Sequence, residues 1–319
     1  MSELSPVVRE RMTTTNGVEL RTLEAGQWGA PVVVLAHGCP ELAFSWRHQL
    51  PALAHAGFHV LAPDQRGYGG SSRPEALRDY DIIALTTDLL GLLDDVGAER
   101  AAFVGDDWGA IVAWSQALLN PRRVTAVVGI NVPMQPRAQV PPLSTLAKMF
   151  ASKFSPWLYF QEPGLADADM GRDVATTMRR LLAHPTSVSL DTRPGPQGFV
   201  DRFPEPQQLP TWLSTDELDY YITEFSRTGF TGGLNWYRNI DRNWELTDHL
   251  ANSKVAVPSL FIGGAQDPTL SWLPPNAAAP LLTRHHGDII IDNAGHWVQQ
   301  QQPQSVNTAL IEFLRTTHL

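Results

Sequence analysis

The stretch Val104-Gly105-Asp106-Asp107-Trp108-Gly109 holds the residue whose surroundings most restrict the chemistry. An apolar run, Ala101 to Val104, leads into it, and a helix-like run, Ala110 to Leu119, leads out. Strand, sharp turn and helix with a glycine on each flank form the G-x-nucleophile-x-G pattern. Its central residue sits in a strained turn, and side chains on the flanks would strike the adjoining strand and helix. The central residue here is Asp107. A carboxylate can attack an sp³ carbon and leave an alkyl ester on the protein. The turn therefore reads as built for displacement at carbon, in an epoxide or a haloalkane.

Two further residues complete a catalytic arrangement. Asp267, in Gly263-Gly264-Ala265-Gln266-Asp267-Pro268, follows an apolar strand that starts at Val255. His296, in Ala294-Gly295-His296-Trp297, follows the last strand. Alone, each has an ordinary explanation, a turn residue before proline and a solvated loop histidine. Nucleophile, acid and histidine in that chain order, each just past a strand, argue for a triad. His296 would act as general base on water, and Asp267 would fix its tautomer and stabilise its charged form. A fourth loop is His37-Gly38-Cys39-Pro40. The backbone N–H groups of Cys39 and Trp108 are expected to converge as an oxyanion hole. The Cys39 thiol is expected to pack rather than react.

The elements that must hold these loops follow from the apolar patterning. Arg11 to Thr15 and Val18 to Glu24 flank Asn16-Gly17, a hairpin signal. Pro31 to Ala36 and His59 to Pro63 are continuous apolar runs of the kind found in strands buried on both faces. Trp46 to Ala56 reads as a helix, and Ile82 to Val96 as another with Leu85, Leu89, Leu90 and Leu93 on one side. Val124 to Val132, Val255 to Gly263 and Asp288 to Ile291 read as strands, and Pro303 to Leu314 as a closing helix. Alternating strands and helices predict an α/β fold with a mostly parallel sheet covered on both faces. Near Pro133 the character changes to Pro-, Arg-, Trp- and Tyr-rich sequence with helical patterning, including Thr215 to Thr228 with Thr215 as N-cap. The expected organisation is a core at 1–133 and 251–319, interrupted by a helical cap at 134–250.

Composition narrows the class. Of 319 residues 43% are apolar, enough for a large core, and the net charge of -9 argues against nucleic acid or an anionic membrane as partner. No run approaches a membrane span. The single cysteine excludes an internal disulfide and suits the cytoplasm. Ten tryptophans suit an aromatic-lined cavity or cap.

Several segments together resemble the soluble epoxide hydrolases of the α/β-hydrolase superfamily, bacterial members in particular. They are HGCP, SWRHQLPALAHAGF, APDQRGYGGSSRP, GDDWGA, the cap segments LYFQEPG (158–164) and GGLNWYRN (232–239), and the closing AGHWVQQ. The resemblance implies an α/β-hydrolase fold and hydrolysis of a small apolar epoxide to a diol. Asp107 would attack the ring carbon, Tyr237 in the N-W-Y-R-N segment would donate to the ring oxygen, and His296 with Asp267 would drive hydrolysis of the ester. It implies no metal or cofactor, and either a monomer or a homodimer. His37, Pro40, Trp157 and Trp297 are expected to line the substrate pocket.

Three positions depart from the family pattern. Pro156 stands where a second ring-opening tyrosine is usual; Tyr159, a turn further on, is the substitute to consider, and Pro156 is expected to disturb the local helix. Asp106 replaces the usual His or Gln before the nucleophile, and Cys39 replaces the usual aromatic of H-G-x-P. Two other functions use the same residues. A haloalkane dehalogenase would need indole donors such as Trp108 and Trp157 for the halide in place of a tyrosine acid. A catalytically weakened hydrolase fold would bind an apolar ligand and turn nothing over.

Overall fold

The computed structural model describes residues 7–183 and 191–317. Eight strands form one sheet in the order β1-β2-β4-β3-β5-β6-β7-β8. They are β1 Arg9–Thr15, β2 Val18–Ala25, β3 Val32–Ala36, β4 His59–Pro63, β5 Ala101–Asp106, β6 Val124–Ile130, β7 Val255–Gly264 and β8 Leu282–Ile291. β1 pairs antiparallel with β2, and β2 with β4; every other pairing is parallel. Asn16 (φ 47°) and Gly17 (φ 75°) make the tight hairpin between β1 and β2. The sequence of β3 explains why a continuous apolar run was needed. Val32, Val34 and Ala36 enter the core on one face, and Val33 and Leu35 the core on the other.

Helices α1 (Gln49–His55), α2 (Ile82–Asp95) and α3 (Trp108–Leu119) cover the sheet, with α11 (Val298–Gln301) and α12 (Pro303–Thr316) at the end of the chain. Between β6 and β7 the described residues hold helices and no strand: α4 (Pro142–Met149), α5 (Pro156–Tyr159), α6 (Leu165–Gly171), α7 (Val174–Leu182), α8 (Thr215–Thr228), α9 (Thr231–Arg238) and α10 (Ile240–Leu246). This helical layer is fastened to the sheet by specific contacts. The Trp236 indole N–H donates to the Arg66 carbonyl at 3.1 Å. The Ser45 and Tyr221 hydroxyls meet at 2.7 Å, and Arg47 Nε donates to Glu217 at 2.6 Å. No helix among the described residues is long and apolar enough to cross a membrane.

The elements differ from the sequence-based expectation in five places, each for a physical reason. The expected helix over Trp46 to Ala56 is a 3-10 turn, Ala43–Trp46, followed by α1. Pro51 has no N–H to continue a helix from Arg47. The strand expected to reach Val132 stops at Ile130, because Asn131 takes a left-handed conformation (φ 60°). Ser214, not Thr215, caps α8, accepting from Glu217 N while Glu217 answers on Ser214 N. Pro156 does not break a helix; it opens α5, a first-turn position that requires no N–H. The last strand begins at Leu282 rather than Asp288. It is an edge strand, largely exposed, so Thr283 to Gly287 carry no apolar alternation.

Candidate active site

Asp107 links β5 to α3 with φ 51° and ψ −118°, a conformation that L-residues rarely adopt. Its neighbours make room for that turn. A Cβ on Gly105 would stand 2.0 Å from the Gly109 carbonyl oxygen, and one on Gly109 would stand 1.9 Å from that of Ala36. The loop after β3 lies against the aspartate, where a Cβ on Gly38 would meet the Asp107 Cβ at 2.5 Å. The Cys39 N–H donates to Asp107 Oδ1 at 3.0 Å. On the other side, His296 Nε2 lies 3.5 Å from Asp107 Oδ2. His296 Nδ1 lies 2.9 Å from Asp267 Oδ2, and Asp267 Oδ1 accepts from Thr269 N at 2.9 Å. The structure thus brings Asp107, Asp267, His296 and the Cys39 N–H together, with Trp108 opening the helix beside them.

Electrostatics follow from this geometry. Burial alone would push the His296 imidazole down, but Asp267 and Asp107 outweigh it and raise its pKa well above the ordinary histidine value. Burial also opposes ionisation of Asp267; His296 and the Thr269 donors overcome that and hold its carboxyl below the usual range. Burial pushes the Cys39 thiol up to about 12, so it stays protonated and unreactive at neutral pH.

Tyr237 lies on α9 and packs edge-on against Trp108 (5.1 Å between rings) and Phe160 (5.0 Å). Gln161 Nε2 donates to both the Tyr237 and Trp157 carbonyls, at 3.1 and 2.7 Å, which joins α5 to α9. Burial, then the neighbouring Cys39 thiol and the Asp107 charge, raise the phenol well above its usual pKa. One cavity of about 770 Å³ is lined by Asp107, His296, Tyr237, Cys39, Pro40, Trp108, Trp157 and Trp297, among others.

Two expected site residues fall elsewhere. His37 does not line the cavity. Its ring is fully buried, donating from Nδ1 to the Gly38 carbonyl (2.8 Å) and accepting at Nε2 from Gln65 N (2.9 Å), and burial lowers its pKa to about 4. It is a neutral brace for the loop. Tyr159 is also absent from the lining, whereas Pro156 is present. The Tyr159 ring packs on Phe154, and its hydroxyl engages Asp169. A four-residue helix that starts at Pro156 turns position 159 off the cavity side.

Sequence reasoning missed a second set of residues. Asn131 Nδ2 donates to Asp106 Oδ1 at 2.7 Å and to the His296 carbonyl. Glu41, Gln299 and Gln300 lie buried beneath the turn. Their one sequence signal is position: Asn131 directly follows β6, Glu41 directly follows HGCP, and Gln299 and Gln300 close the AGHWVQQ segment. Ile111 and Ser115 on α3 and Met134 and Gln135 after β6 also line the cavity.

Fold and site geometry are those of the α/β hydrolase class, and the family described as alpha/beta hydrolase fold matches residues 31–303. The chain is 60% identical over 311 residues to epoxide hydrolase A of Mycobacterium tuberculosis, covering 96% of this chain and 97% of that protein. It is 36% identical to epoxide hydrolase 1 of Siraitia grosvenorii, over 94% of this chain and 96% of that one. The crystal structure of epoxide hydrolase A from Mycobacterium thermoresistibile superposes with a TM-score of 0.95 at 57% identity, covering 97% of this chain and 98% of that one. The chain belongs to the α/β hydrolase fold family and, within it, to the epoxide hydrolases.

Proposed function

We propose that the protein opens a small apolar epoxide through an alkyl ester on Asp107 and hydrolyses that ester to a vicinal diol. Asp107 Oδ1 is occupied by the Cys39 N–H, which leaves Oδ2 to attack a ring carbon. The C–O bond to that carbon breaks, and its electron pair goes to the ring oxygen, which takes a proton from Tyr237. The negative charge of Asp107 disappears as the ester forms. That charge helps to hold the Tyr237 phenol above its usual pKa, so the proton becomes easier to give as the bond forms.

The same loss of charge prepares the second step. Asp107 is one of the two anions that keep His296 protonated. Once it is an ester, the imidazole pKa falls, its proton makes good the one that Tyr237 gave up, and the neutral ring becomes a base for water, with Asp267 still holding Nδ1. Hydroxide adds to Asp107 Cγ, and Oδ1 becomes the oxyanion, held by the N–H groups of Cys39 and Trp108. Collapse breaks the bond from Cγ to the ester oxygen; the leaving alkoxide takes the proton that His296 drew from water and departs as the diol, and the acid left on Asp107, which carries one oxygen from water, returns a proton to His296. Tyr237 is the single tyrosine donor, since Pro156 occupies the second position; one donor to a developing anion contributes about 1.5–3 kcal/mol.

The observation that carries this reading is Asp107 placed between an N–H donor and a histidine braced by Asp267. Residues 134–250 act as the cap over a core formed by 1–133 and 251–319. The proposed site lies within one chain, which suits a monomer or a homodimer. Epoxide and water are its partners, not nucleic acid, and a single cysteine suits the cytoplasm. The test is a single turnover of styrene oxide in water enriched in heavy oxygen. Heavy oxygen in the Asp107 carboxylate and not in the first diol is expected, with no diol from Asp107→Asn. Heavy oxygen in the first diol would mean direct hydration and would sink the ester mechanism.

A further inference from the structure

Beneath the nucleophile turn lies a polar cluster that the reaction above does not use. Asp106 and Glu41 are both fully buried, each 0% exposed. One amide nitrogen, Gln299 Nε2, donates to Asp106 Oδ2 at 2.8 Å and to Glu41 Oε1 at 3.0 Å. The two carboxyls therefore converge on a single atom. Gln300 Nε2 gives Glu41 Oε1 a second donor at 3.0 Å.

The cluster reaches every loop of the site. Gly38 N, in the oxyanion loop, donates to Glu41 Oε2 at 3.0 Å. Asp106 is itself the residue before the nucleophile. Asn131 Nδ2 bridges Asp106 Oδ1 to the His296 carbonyl, and Asn131 Oδ1 accepts at 3.3 Å from Gly264 N, at the end of β7 where the loop that carries Asp267 begins. Two bare carboxylates this close and this buried repel each other and lack hydration. The donors that reach them are neutral, amides and the Ser45 hydroxyl, and Arg47 Nη1 stops at Gln300 Oε1, 2.6 Å away.

We propose that Asp106 and Glu41 hold one proton between them and act as a single positioning unit for the four loops, and that this unit comes apart when the proton leaves at alkaline pH. The proposal rests on the catalytic reading of Asp107 and His296 given above. Burial first, and then the facing carboxyl, keep Asp106 well above the ordinary carboxylate range, and burial raises Glu41 in the same direction. Other groups face the pair from each side. Asp107 opposes ionisation, while a charged His296 favours it. Ser45 hydrogen-bonds Glu41, and the Tyr221 hydroxyl from α8 lies within reach of the Glu41 charge.

The folded pair binds more protons than the unfolded chain between the ordinary carboxylate pKa and its raised value. Its contribution to stability is thus fully present at low pH and falls as pH rises through that window. Asp106→Asn keeps an oxygen for Asn131 and offers an amide to Glu41, with no proton to lose. The buried Gln299 Oε1, which has no partner, can accept from the new amide after a flip.

The experiment is infrared spectroscopy of the whole protein across pH, read beside turnover of styrene oxide and thermal melting. A protonated-carboxyl band at neutral pH is expected. It should disappear on alkalinisation with the same midpoint as turnover and Tm, and it should be missing in Asp106→Asn. The alkaline loss of turnover in that variant should move up by about one pH unit or more. Glu41→Gln, which also leaves a single carboxyl, provides the same comparison if Asp106→Asn does not fold. Absence of the band in the parent, or an unchanged alkaline midpoint in the variant, overturns the proposal. Turnover that survives Asp107→Asn overturns the catalytic reading instead, and the band is read independently of it.

Discussion

His296 faces Asp267 through one nitrogen and Asp107 through the other, so its proton affinity depends on the covalent state of the nucleophile. Ring opening does not need a neutral imidazole, and ester hydrolysis does. The hydrolysis rate is expected to rise with pH through the pKa of His296 in the esterified protein, while ring opening stays flat over the same range. Stopped-flow tryptophan fluorescence, with its two phases resolved, checks this. A hydrolysis phase that does not vary with pH would remove His296 as the base. His296→Gln is expected to open the ring within about tenfold of the parent rate and to slow hydrolysis about 10²–10⁴-fold, so that intact-mass spectrometry finds the ester accumulated. Tyr237→Phe reverses the pattern, with ring opening down about 10²-fold or more and no ester accumulated. At this scale Asp107, Asp267 and His296 stand out in the sequence because each lies within five residues of a strand end in a glycine-marked turn. Glu41, Asn131 and Gln299 carry no such mark. Their partners lie up to 259 positions away, as between Glu41 and Gln300, and nothing local encodes the meeting. His37 misleads for the opposite reason: it sits inside a telling motif, yet its ring turns inward to brace the loop.

Tyr237 reaches the cavity only because α9 lies close to the loop after β4. A Cβ on Gly232 would stand 2.2 Å from the Gly67 carbonyl oxygen, and one on Gly233 would stand 2.4 Å from the Tyr68 hydroxyl. Backbone cannot yield as a flexible side chain can, so Gly232→Ala must push α9 outward. It is expected to cost about 1–3 kcal/mol in chemical denaturation and to slow ring opening more than hydrolysis, since Tyr237 rides on the same helix. Ser214→Ala is the contrasting case. It removes half of the capping box of α8 at an expected cost of about 1 kcal/mol, with both kinetic phases unchanged. Equal kinetic damage from the two variants would show that α9 does not carry the donor. Strands buried on both faces and helices with a marked apolar side are readable from the chain. The edge strand β8 and the split before α1 are not, because one lacks a buried face and the other turns on a single missing N–H.

At the scale of the whole molecule, a cavity of about 770 Å³ lies between the sheet and the helical layer among the described residues, far more room than a small aryl epoxide fills. Ser115 and Ile111 on α3 line it without joining the proposed chemistry. Ser115→Trp is therefore expected to raise KM for a bulky diaryl epoxide about tenfold or more, while styrene oxide stays within about twofold. Equal effects on both substrates would mean that this wall does not select for size. The sheet also has a consequence for descent. The long helical stretch departs from β6 and returns on β7, and these two strands are direct neighbours, with Val127 opposite Ser259 and Ile130 opposite Ile262. Because the two strands run parallel, the stretch leaves at the end of β6, after Ile130, and must cross back along the sheet before it enters β7 at Val255. A lineage can lengthen, shorten or exchange the helices that precede that return crossing without re-threading a single strand. Substrate choice can then be inherited as a cassette, while the carboxylate, the acid and the histidine stay on a frame that has no need to change.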